Sequence, residues 1–72
     1  MKENYVMVKE NYVAPREIVC IVGDARYSGF YVANDGIVTV DWDCFTKQTQ
    51  AGSNPVETAR RLLRELVREQ RN

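Results

Sequence analysis

The last third of the chain constrains the fold most. After Asn54-Pro55, the residues Val56, Ala59, Leu62, Leu63, Leu66 and Val67 recur at helical spacing. At 100° per residue they fall within one arc of about 140°. Asn54 is a good N-cap, Pro55 suits the first helical position, and Glu57 stands where a capping-box acid belongs. The spacing predicts an amphipathic helix from Pro55 to Gln70. A lone helix of that length is marginal in water, so its leucine side needs a surface to cover.

The preceding residues supply strands. Glu17–Gly23 is β-branched and continuously apolar, which suits a strand buried on both faces or one at a subunit interface. Gly23 to Gly29 is rich in turn residues and reads as a loop. Phe30–Ala33 is the next strand, and Asn34-Asp35-Gly36 marks a hairpin. If Asp35-Gly36 alone is the loop, Phe30 pairs with Asp41 and Val32 with Thr39. If Asn34-Asp35-Gly36 is a three-residue loop, Val32 faces Val38 and Phe30 faces Val40. The second register collects Phe30, Val32, Val38, Val40 and Trp42 on one side, and burial favours it. Tyr31, Ala33 and Ile37 then share the other side. Phe45–Gln50 makes a further, polar strand, or the third strand runs long with a bulge. The expected fold class is α+β: a three- or four-stranded antiparallel meander with the C-terminal helix packed on one face.

Residues 17–72 form this single domain. Residues 1–16 are expected to be an extended or partly disordered segment carrying a duplicated heptapeptide, with Lys-Glu-Asn-Tyr-Val at both 2–6 and 9–13. Pro15 then breaks any helix.

A 72-residue chain buries only about 60% of its unfolded surface, and such domains often lean on a disulfide, a metal or a partner. Two cysteines with no histidine cannot complete a four-ligand zinc site. A Cys20–Cys44 bond stays open. Met1 is followed by a charged segment rather than a secretory leader, which points to a reducing cytoplasm and free thiols. The longest apolar run, Ile18–Val22, is too short for a bilayer, so no membrane partner is expected. Association with a protein is the remaining support, a homodimer included. Net charge is zero but unevenly spread: Pro55–Asn72 has five Arg against three Glu, whereas the acids Glu17, Asp24, Asp35, Asp41 and Asp43 dominate the sheet region.

No residue set points to catalysis or to a cofactor. Asp41 and Asp43 flank Trp42 and would share a strand face, but without a third carboxylate or a histidine they read as solvated acids. Cys20 reads as a small core residue and Cys44 as a more exposed one, and no base is present to activate either. Gly23 to Gly29 lacks the lysine and the helix of a phosphate loop. Two surfaces remain. Arg26, Tyr27, Tyr31 and Trp42 are residue types that anchor protein interfaces. Arg60, Arg64, Arg68 and Arg71 could meet nucleic acid or an acidic partner.

The order of strands, Gly52-Ser53 and helix resembles the second half of a double-stranded-RNA-binding domain, over Ile37 to Val67. The phosphate-gripping lysines of that family are absent, because Asn54-Pro55-Val56-Glu57 stands in their place. Thr49-Gln50-Ala51-Gly52-Ser53-Asn54-Pro55, Ala59 to Leu66, and Asp35 to Val40 resemble the ending of a group of small bacterial and prophage proteins. That group has no agreed function to carry over; its mobile-element character, taken with the two surfaces above, leads to the expectation of a non-catalytic protein-binding module, such as a phage-type inhibitor of a host defence complex. The alternatives are a nucleic-acid-binding accessory protein and a structural homodimer.

Overall fold

The structure, a computed structural model, describes residues 14–71. Strands β1 (Arg16–Val22), β2 (Ala25–Asn34), β3 (Ile37–Trp42) and β4 (Phe45–Gln50) precede one helix, α1 (Pro55–Arg71). The strands form one antiparallel sheet in the order β1-β2-β3-β4, with α1 across one face. The architecture is therefore α+β, as the sequence predicts. The expectations for residues 1–13, the duplicated heptapeptide among them, lie outside the described residues.

Each strand connection is a two-residue turn: Gly23-Asp24, Asp35-Gly36 and Asp43-Cys44. Asp35 and Gly36 have φ of 54° and 77°, the paired positive φ of a type I′ turn. That geometry suits the right-handed twist of the flanking strands. Glycine takes it without a steric penalty, and aspartate is among the few other residues that tolerate it. Gly23 and Asp43 also take positive φ, each at the first position of its turn.

These turns correct three readings of the sequence. The β2–β3 hairpin adopts the two-residue register, with Phe30 opposite Asp41, Val32 opposite Thr39 and Ala33 opposite Val38. Relative to the expected three-residue loop, β2 is turned over, and Phe30 and Val32 face away from the helix. The stretch from Gly23 to Gly29 is no loop: Gly23-Asp24 turns the chain and Ala25 already begins β2. Asp43 does not share a strand face with Asp41, because it sits in the turn after Trp42.

The helix-facing side of the sheet carries Ile18, Cys20 and Val22 from β1, Tyr31 from β2, and Val38 and Val40 from β3, all buried. Against them α1 buries Ala59, Leu62, Leu63, Leu66 and Val67. Each leucine or valine so covered contributes roughly 1.5–3 kcal/mol, so packing on the sheet holds the helix. Asn54 Oδ1 accepts a hydrogen bond from the Glu57 amide at 3.2 Å, which fixes where α1 begins. The Ala51 amide donates to the Gly36 carbonyl at 2.7 Å and ties the end of β4 to the central hairpin. On the helix, Arg60 pairs with Glu57 and Arg61 with Glu65.

Gly29 faces the helix where α1 comes closest to β2. A Cβ there would lie 2.6 Å from the Asp41 carbonyl oxygen and 3.2 Å from a Leu63 methyl. The first contact is with backbone, which cannot swing aside. Gly29→Ala is therefore expected to destabilise the domain by about 1–3 kcal/mol through overpacking. Leu63→Ala should cost about 2–5 kcal/mol by opening a cavity. Urea unfolding followed by far-UV circular dichroism checks both, and a Gly29→Ala variant as stable as wild type would contradict the close approach.

Candidate functional site

The turned-over β2 sets the three aromatics of the expected interface on the helix side of the sheet and leaves Arg26 on the other. Tyr31 is only 8% exposed and belongs to the core. Tyr27 and Trp42 are half-buried at the edge of that core, with rings 5.9 Å apart at 89°. Phe45 stacks on Trp42 at 6.1 Å. Arg71 closes the cluster, its guanidinium 5.9 Å from the Tyr27 ring centre. Tyr27 and Trp42 thus seal the core at the end of α1, while Tyr31 lies at the other end, beside the start of the helix. Arg26 is exposed and points to the opposite side of the sheet, opposite Ile21.

That opposite side carries no helix. Ile21 is 57% exposed and Phe30 50%, and Ile37 is exposed on the same side at the far end of β3. Val19 and Val32 are half-buried on the same side. Pairing sets Glu17, Phe30, Asp41 and Thr46 in one row across all four strands. Ser28 donates to Glu17 at 2.6 Å and Thr46 to Asp41 at 2.7 Å. The Phe30 ring therefore stands between two oriented carboxylates. The sequence reading missed Phe30 and Ile21 as surface groups. The signal was available in the parity that a two-residue Asp-Gly loop imposes.

The arginines have unequal roles. At 100° per residue, Arg60, Arg64 and Arg71 lie along the flank of α1 that overhangs β1, Arg68 lies further round toward the top of the helix, and Glu65 and Glu69 occupy the other flank. Arg60 Nε donates to the Val19 carbonyl at 3.2 Å, and its Nη1 donates to Glu57 at 2.6 Å. Arg71 is engaged with Tyr27. Arg64 and Arg68 pair with no carboxylate among the described residues. On the opposite flank Glu69 bridges to Lys47 of β4.

Cys20 is buried beneath this flank and Cys44 is exposed in its turn, both as free thiols. Burial pushes the Cys20 thiol above its ordinary range, and the nearby Arg64, Arg68 and Arg60 pull it partly back. An apolar concavity of about 320 Å³ lies between the end of β2 and the start of α1, lined by Arg16, Tyr31, Ala33, Pro55 and Val56. It lacks the convergent polar groups with which a ligand pocket orients its guest. No group of three or more metal-ligating side chains comes together among the described residues, and no helix there is long and apolar enough to cross a membrane.

Comparison of the chain with protein-family models, with curated proteins and with solved structures finds no match.

The two thiols should behave differently. Iodoacetamide at about pH 8 is expected to modify Cys44 in the folded protein and Cys20 only after denaturation. Because the folded Cys20 thiol holds its proton more tightly than the unfolded one, its stabilising contribution is complete below the unfolded thiol's pKa. That contribution is lost as pH rises toward the folded value. Unfolding measured from neutral to strongly alkaline pH should show this loss in wild type and a smaller one in Cys20→Ala. Mass spectrometry of the alkylated protein reads the first outcome directly.

Proposed function

We propose that this domain is a non-catalytic protein-binding module whose docking surface is the helix-free side of the sheet. The observation that carries this reading is the exposure of Ile21, Phe30 and Ile37 together on one flat side, with Val19 and Val32 between them. An apolar patch of this kind on a small soluble domain is characteristic of association surfaces. A large aromatic side chain at half exposure, on a rigid interior strand, is a natural anchor. Glu17 and Asp41 on either side of Phe30 add a preference for a partner that presents a basic group next to an apolar one. The resemblance to prophage proteins makes a host defence assembly the first partner to try.

Phe30 is half exposed on the side of the sheet away from the helix, so it can be changed without undoing the fold. Phe30→Asp and Ile21→Asp are expected to keep the wild-type circular dichroism spectrum and melt within a few degrees of wild type. They should release a partner that wild type and Arg61→Ser both retain in affinity capture. Loss of an anchor of this type weakens binding by about 2 kcal/mol or more, roughly thirtyfold. Capture that is unchanged by Phe30→Asp and Ile21→Asp would remove the reading.

A further inference from the structure

The outer edge of β1 points to a second, more specific mode of binding. In a hairpin closed by a two-residue loop, the residues flanking the loop form a hydrogen-bonded pair, and such pairs then alternate along the strands. Val22 and Ala25 flank Gly23-Asp24. Ile18, Cys20 and Val22 therefore direct their backbone groups to β2. Glu17, Val19 and Ile21 direct theirs outward. The Arg60 bond to the Val19 carbonyl agrees with this, since it reaches that oxygen from the side away from β2. No other strand pairs with the outer edge of β1 among the described residues. That edge is seven residues long, of ordinary strand length and ready to template another strand.

The charge around this edge specifies what could be added. Arg60 bonds the Val19 carbonyl, and Arg64 and Arg68 follow it at four-residue spacing with their charges near Cys20, on the helix side of β1. An added strand would alternate its side chains between the two sides of the sheet. Those opposite Ile18, Cys20 and Val22 would lie beneath the arginines. Those opposite Val19 and Ile21 would extend the apolar patch on the helix-free side. A second copy of this chain fits poorly: antiparallel pairing of two β1 edges about a two-fold axis sets both helices on one face, with their arginine rows meeting.

We infer that the β1 edge accepts an extended peptide segment with alternating acidic and apolar residues. The segment adds as a fifth strand with its acids under Arg60, Arg64 and Arg68. Backbone hydrogen bonds supply affinity, and the arginine row selects the sequence. Arg60 leaves the Val19 carbonyl and turns to a carboxylate of the incoming strand, so it guards the edge when no partner is present. The inference rests on the protein-binding reading and adds the chemistry of the partner segment and its seat.

The test uses the full chain and synthetic peptides of about seven residues alternating valine with glutamate, lysine or glutamine. The glutamate peptide should bind most tightly, weaken with added salt, and slow amide exchange at Glu17, Val19 and Ile21 in NMR. The double change Arg64→Glu with Arg68→Glu should lower its affinity about tenfold and bring the lysine peptide ahead. Equal affinity for the three peptides, or binding without slowed exchange at those amides, would overturn the inference. So would an oligothymidylate that binds more tightly than the glutamate peptide and depends on the same two arginines. Phe30→Asp separates the two readings, since it should release the partner at the sheet face while leaving exchange protection at Val19 intact.

Discussion

Which side of β2 meets the helix is decided by the Asp35-Gly36 turn, and most of the structure follows from that one parity. A two-residue loop in the type I′ conformation permits only one register, and the pleat then assigns every side chain of β2 to a face. Tyr31 and Ala33 go under α1 with Val38 and Val40, and Gly29 offers the gap into which Leu63 fits. Phe30 and Val32 are left on the open side. Had the loop been one residue longer, the bulkier pair would have entered the core and Tyr31 would have met water.

The helix was legible in the sequence, because Leu62, Leu63, Leu66 and Val67 fit only one periodicity and Asn54-Pro55 marks its start, although Val56, expected in the same covered arc, is exposed in the first turn. The antiparallel meander was also legible, and so was the polar character of β4. The register of β2 was not. Its two sides, with Tyr27, Gly29, Tyr31 and Ala33 on one and Ser28, Phe30 and Val32 on the other, are nearly balanced in hydrophobicity. Counting apolar residues therefore chooses weakly, whereas turn stereochemistry chooses strongly. Val38, Val40 and Trp42 share a side in either register and gave no warning. The start of β2 was missed because Ala25-Arg26-Tyr27-Ser28-Gly29 has no β-branched residue, and its extended form comes from pairing with β1.

The same parity explains why the sequence-level candidates for binding had to be reassigned. Tyr27, Tyr31 and Trp42 were selected for residue type alone, and residue type does not say which way a strand side chain points. Tyr27 and Trp42 close the core near the end of α1 with Arg71 as a lid, and Tyr31 is buried near the start of the helix. The arginine row was legible as a stripe, but not the division of labour within it: Arg60 is held by a strand carbonyl and Arg71 by an aromatic ring, while Arg64 and Arg68 pair with no carboxylate among the described residues.

The meander joins each strand to its immediate predecessor, so every hairpin closes a short span of chain. The contacts of α1 with the sheet differ. The bond from Arg60 to Val19 connects residues 41 positions apart, and the packing of α1 against β1 shares that separation. Loop closure over such a span carries most of the chain-entropy cost of the topology. The seam between the first strand and the last helix is therefore where the domain becomes a closed body, and the hairpins can assemble locally before it shuts.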